Sequence, residues 1–85
     1  MRVVIVGREF SEYNREVREW TREFSERTGV EVEEIDPDST EGESFCRSRD
    51  VVQYPTIIVE TDDGRDVFSH VGTPLPAIDE AASCV

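Results

Sequence analysis

The side chains in this sequence that could make or break covalent bonds, or hold a metal, are few. They are two cysteines, Cys46 and Cys84, and the sole histidine, His70. Cys46 follows Phe45 and precedes Arg47 and Arg49. Cations beside a thiol stabilise the thiolate, which is the nucleophile, so one reading is a single reactive thiol at Cys46. The plainer reading is a small hydrophobe packed on a helix. His70 stands on a strand, and no cysteine, histidine and carboxylate cluster accompanies it at metal-ligand spacing, so no metal is expected. Glu31, Glu33 and Glu34 read as a solvated strand edge, because glutamates without a cleft make no acid/base pair.

Composition narrows the field further. The 85 residues include 20 acidic side chains against 9 basic ones, all arginine, for a net charge of −11. A surface so negative repels phosphates and anionic lipid, which argues against nucleic acid and membrane as partners. No apolar run reaches the ~18 residues of a membrane span, and the first strand begins at Val3, so the expected compartment is the cytoplasm. Two distant cysteines are too few for a disulfide framework. A chain this short buries only about 60–65% of its unfolded surface, which leaves room for one small core and one domain over residues 1–85.

The segment around Val51-Val52-Gln53-Tyr54-Pro55-Thr56-Ile57-Ile58-Val59-Glu60 organises the rest. Proline lacks an N–H, so Pro55 can open a strand but not sit inside one, and Tyr54-Pro55 is a place where a cis peptide is cheap. Ile57-Ile58-Val59 has the continuous apolar character of a strand covered on both faces. A turn at Asp62-Asp63-Gly64-Arg65 leads into Asp66–Val71, where Val67, Ser69 and Val71 share one face and Phe68 and His70 the other. Upstream, Arg2–Gly7 reads as a buried strand. Phe10, Tyr13, Val17, Trp20 and Phe24 recur at spacings of 3 and 4, the stripe of an amphipathic helix over about 11–28. Ser11 is its expected N-cap and Gly29 its C-terminal stop. Val30–Asp36 is a second strand. Asp38-Ser39-Thr40 offers several N-caps, and Thr40-x-x-Glu43 fits a capping box, for a weak helix running to about Arg49 and interrupted by Gly42. Thr73 and Pro74 are placed to start a last short helix.

The order is therefore β-α-β-α-β-β-α, a parallel pair with a right-handed crossover and an added hairpin. This order, with Val3-Val4-Ile5-Val6 as a first strand, Tyr54-Pro55-Thr56 opening the hairpin, Asp63-Gly64-Arg65 at its turn and Val71-Gly72 before the last helix, resembles the thioredoxin/glutaredoxin superfamily. The resemblance spans nearly the whole chain. It implies a thioredoxin-like fold with a four-stranded mixed sheet and three helices, the first strand central. It also implies that Tyr54-Pro55 is the family's cis-proline step, lining a substrate groove. In that topology the second helix lies on one face of the sheet and the first and third on the other, so a Cys46–Cys84 disulfide is not expected.

The departure from the family lies where its Cys-x-x-Cys would stand, a window that here reads Ser11-Glu12-Tyr13-Asn14. A serine hydroxyl does not ionise there as a thiol would, and no histidine and acid are arranged to activate it. Dithiol exchange at this position is excluded. The resemblance further places Arg8 where glutaredoxins carry a lysine that contacts a glutathione carboxylate. However, Gly72-Thr73-Pro74 replaces the glycine-rich, acid-containing segment that completes such a site. The function expected is thus a redox-inactive, thioredoxin-like chain that binds a peptide or protein partner. Its groove is formed by Arg8, Ser11, Glu12, Tyr13, Asn14, Tyr54, Pro55 and Thr56, with no resident cofactor. The alternative is a thiol-disulfide oxidoreductase, or a glutathione-dependent activity, using Cys46 alone.

Overall fold

Val3 to Val6 are each at most 1% exposed, as befits an apolar run with helices on both sides. They belong to the first of seven elements in the computed structural model, which describes residues 1–85. These elements are β1 (Arg2–Val6), α1 (Asn14–Thr28), β2 (Val32–Ile35), α2 (Thr40–Arg49), β3 (Thr56–Glu60), β4 (Asp66–Val71) and α3 (Ile78–Ala82). The sheet order is β2-β1-β3-β4. β1 runs parallel to β2 and antiparallel to β3, and β3 runs antiparallel to β4.

Strand alternation divides the core into two layers. On one face Val3, Ile5, Ile57 and Val59 meet Val17, Trp20 and Phe24 of α1 and Ile78 and Ala81 of α3. Trp20 and Phe24 stack with ring centroids 5.0 Å apart, and Phe24 is fully buried, which contributes roughly 2–3 kcal/mol. On the other face Val4, Val6 and Ile58 meet Phe45 and Cys46 of α2. Both cysteines are free.

Several element boundaries differ from the expectation, each for a local reason. Helix α1 starts at Asn14 rather than 11, and Tyr13 occupies its N-cap position with no side-chain cap bond. Ser11 is not the cap: its hydroxyl donates to the Arg8 carbonyl at 2.7 Å, a local bond that competes with capping. Phe10 therefore precedes the helix and is 94% exposed instead of joining the core stripe. β2 begins at Val32 rather than Val30, because Val30 is engaged by the end of α1. Its N–H donates to Thr28 Oγ1 and its carbonyl accepts from Ser25 Oγ.

Of the three candidate caps, Ser39 is the one that caps α2, its side chain accepting the Gly42 N–H at 2.9 Å, so the Thr40 capping box is not formed. Gly42 does not interrupt that helix. A Cβ there would overlap the Asp36 carbonyl, so glycine is what lets the helix approach the end of β2. Helix α3 begins at Ile78, not at Pro74. The residue before a proline is disfavoured in α conformation, and Pro74 and Pro76 together keep Thr73 and Leu75 out of a helix.

Candidate functional site

The C-terminal end of β1 and the entry to β3 meet, since Val6 pairs with Thr56. From there the chain leaves β1 as the loop Gly7–Tyr13 and enters β3 through Tyr54-Pro55, whose peptide bond is cis. Five hydrogen bonds and a stacking contact shape the first loop. Tyr13 folds back over Gly7, and its hydroxyl oxygen accepts the Arg8 N–H at 2.9 Å. Ser11 Oγ closes the turn on Arg8, as above, and the Asn14 N–H donates to the Ser11 carbonyl at 3.3 Å. The Arg8 guanidinium donates to both Asp38 carboxylate oxygens, at 2.9 and 3.2 Å, and lies over the Tyr54 ring at 4.9 Å. Asp38 thus ties the loop before α1 to the one before α2.

The second wall is held as firmly. Pro55 is buried, and its carbonyl accepts the Gly72 N–H at 2.8 Å. Thr56, 3% exposed, donates its hydroxyl to the Gln53 carbonyl at 2.6 Å. Between these fixed points Tyr54 differs: neither its N–H nor its carbonyl has a partner in the chain. The third wall, the 72–76 loop, is anchored from three sides. Glu16 accepts the Leu75 N–H at 2.8 Å, Trp20 Nε1 donates to the Pro76 carbonyl at 2.8 Å, and His70 Nε2 lies 2.9 Å from the Pro74 carbonyl.

The electrostatics follow from these contacts. The hydrogen bond and charge of Arg8 hold the Asp38 carboxyl below the usual aspartate range, and the same pair raises Arg8. Burial pushes the Tyr54 hydroxyl above its ordinary 10.0, Cys46 adds to this, and Arg8 opposes it. Cys46 is 7% exposed and lies behind Tyr54.

The structure therefore brings Arg8, Ser11, Tyr13, Asn14, Tyr54, Pro55 and Thr56 to one end of the sheet. Glu12 is on the same loop but is exposed, with no partner. They do not enclose a single pocket. Arg8, Tyr13 and Asn14 line a hollow of about 320 Å³ that opens toward Glu34 and Asp36 beside β2. Thr56 lines a separate groove of about 440 Å³ on the α2 side. Ser11, Glu12, Tyr54 and Pro55 line neither. What lies between is an open shelf. Asp38 and Glu16 support it and were missed from sequence: nothing in their type or spacing marks a partner 30 or 59 residues away. No group of three metal-ligating side chains occurs. No helix is long and apolar enough to cross a membrane.

Comparison with known proteins agrees with the architecture. The chain is similar to thioredoxin 1 from the thermophilic eubacterium Thermosipho africanus TCF52B, with a TM-score of 0.74 and 14% identity over 98% of this chain and 88% of that one. It is also similar to a chain from work on the thiol resolving mechanism in yeast mitochondrial 1-Cys peroxiredoxin via glutathione/thioredoxin systems. There the TM-score is 0.79 at 14% identity, over 98% of this chain and 76% of that one. No family model and no curated protein matches the sequence. At that identity the likeness defines the fold: the chain has a thioredoxin-like α/β architecture. Its two cysteines are not a Cys-x-x-Cys pair.

Proposed function

We propose that this chain binds an extended peptide, or an extended segment of a partner protein, across the shelf between the Arg8–Asn14 loop, Tyr54-Pro55 and Gly72-Thr73-Pro74, and that it carries out no dithiol exchange. The observation that carries the reading is the free backbone of Tyr54. Its N–H and carbonyl lie unpaired in the bend just before the cis Pro55 and the start of β3 at Thr56, main-chain groups that an extended segment can pair with. Phe10, 94% exposed one residue before the Ser11 turn, supplies an apolar side chain at the rim. No sulfur stands in the 11–14 turn, so a segment held there meets no nucleophile.

The competing reading, single-thiol or glutathione-dependent chemistry at Cys46, is less well supported. Cys46 is buried as a residue, so its thiol has to be uncovered before it can attack. A glutathione carboxylate reaching Arg8 has to share the guanidinium with Asp38, which already neutralises it and takes two of its five N–H donors. The test is to select binding peptides from a random displayed library and map one on ¹⁵N-labelled protein. Amide shifts centred on Tyr54, Phe10–Tyr13 and Gly72–Thr73, unchanged by Cys46→Ser, are expected. A peptide captured as a mixed disulfide through Cys46, or mapped away from Tyr54, overturns the reading.

A further inference from the structure

A second surface lies on the α2 side of β4, away from the shelf. β4 is an edge strand. The Gly72 N–H donates to the Pro55 carbonyl, and Val71 and His70 pair with Thr56 and Ile57. In an antiparallel ladder hydrogen-bonded and open pairs alternate, so Phe68, His70 and Gly72 turn their backbone groups toward β3. Ser69 and Val71 turn theirs outward to the free edge. The side chains of Ser69 and Val71 lie on the α2 side of the sheet, where α2 itself packs over β1 and β3 through Phe45 and Cys46. Val71 is therefore 53% exposed, and Val52 opposite it 75%.

Between these residues runs the 440 Å³ groove, apolar at one end with Val51, Val52, Ile58 and Val71, and acidic at the other with Asp50 and Asp66. The acidic end continues into a hollow of about 540 Å³ shared by the same two aspartates. Neither carboxylate accepts a hydrogen bond or an ion pair within the chain. Arg49 lines both hollows beside them, but its guanidinium is held by Glu60 at 2.5 Å and lies over the Phe45 ring at 4.3 Å. The groove thus offers two free outward backbone positions, an apolar floor and two carboxylates without a partner in the chain.

We propose that this groove docks an extended segment of a partner protein carrying an apolar side chain and, four residues away on the same face, a lysine or arginine. The spacing comes from the register. Val71 lies opposite Thr56 and Asp66 opposite Glu60, four ladder steps or roughly 13 Å, with the extra residue of β4 absorbed in a bulge. A second copy of this chain is disfavoured in the same place, since it brings another net charge of −11 to a groove that is already acidic. The bulge leaves only about two residues of usable edge, so side-chain complementarity, rather than backbone pairing alone, selects the partner.

The probe is a capped peptide of alternating threonine and valine with an arginine four residues from a leucine. It is titrated into ¹⁵N-labelled protein beside a control with glutamate in place of the arginine. The Ser69 and Val71 amides are expected to shift and to exchange more slowly, and the glutamate peptide to bind at least about fivefold more weakly. The Asp50→Asn, Asp66→Asn double variant is expected to erase that difference. Ser69→Pro removes an outward N–H without touching the β3 ladder and is expected to abolish binding. Should that variant fail to fold, the aspartate variant, on the exposed surface, still decides. Equal binding of both peptides, shifts centred on Tyr54 instead of Ser69, or peptide-free dimerisation through β4 overturns the proposal.

Discussion

Glu60 is 4% exposed and receives Arg2 at 3.1 Å and Arg49 at 2.5 Å, while both arginines lie over Phe45. Burial alone would raise this carboxyl, but the two guanidiniums outweigh it and its pKa falls below the ordinary 4.5. A carboxylate with a lowered folded pKa contributes stability that is complete above the unfolded value and lost as pH drops through the folded one. Glu60→Gln is therefore expected to cost about 3 kcal/mol at neutral pH, because it leaves two arginines beside a neutral group. It should also flatten the loss of stability below 4.5. Urea titrations of both proteins across that range check this. Gly42 makes a second residue-scale test in which two effects oppose. Helix propensity alone favours Gly42→Ala by about 1 kcal/mol, but the overlap with the Asp36 carbonyl dominates, and a net loss of about 2 kcal/mol in denaturant stability is expected. Neither residue was legible in the sequence. Glu60 looks like the polar end of an apolar strand until antiparallel pairing sets it opposite Arg2, 58 residues away. Gly42 looks like a helix breaker until the helix is seen against the strand end.

At the scale of elements, the buried stripe Val17, Trp20 and Phe24 and the apolar strands were legible, because a helix or strand that packs on a core must repeat with its own period. What failed were the ends. Phe10 and Tyr13 continue the 3–4 spacing, yet the Tyr13 hydroxyl bonded to the Arg8 N–H holds the chain in a turn before the helix begins. A different local effect, the prolines at 74 and 76, moved the start of α3. The site loops depend on such end contacts more than on any motif. The 72–76 loop is held by Glu16, so Glu16→Ala is expected to speed hydrogen exchange at the Leu75 amide by at least about fivefold. The exchange of the core amides in β1 should not change. An unchanged Leu75 rate would mean that Trp20 and His70 hold the loop without it.

On the scale of the whole molecule, nine arginines face 20 acidic side chains, and most of the ion pairs are exposed, including Arg8–Asp38, Arg15–Glu19 and Arg27–Glu23. Exposed pairs are worth little individually, so the self-repulsion of the net charge is the larger electrostatic effect. Raising NaCl to about 1 M, where the screening length is roughly 3 Å, is expected to raise the melting temperature by about 5 °C; a fall would mean that the arginine pairs outweigh the repulsion. The fold class was readable from strand order and the Tyr54-Pro55-Thr56 step, since these are consequences of chain topology. The shelf was readable only in its strand and loop residues, because its supports come from side chains distant in sequence. The central claim is that a thioredoxin-like shelf here holds a segment without sulfur chemistry. Its most direct test is insulin disulfide reduction, followed by turbidity under a dithiol reductant, with the parent protein and with Cys46→Ser. The account predicts that neither accelerates the reaction beyond the reductant alone. Turnover by the parent that disappears in the variant would contradict it and place the chemistry at Cys46.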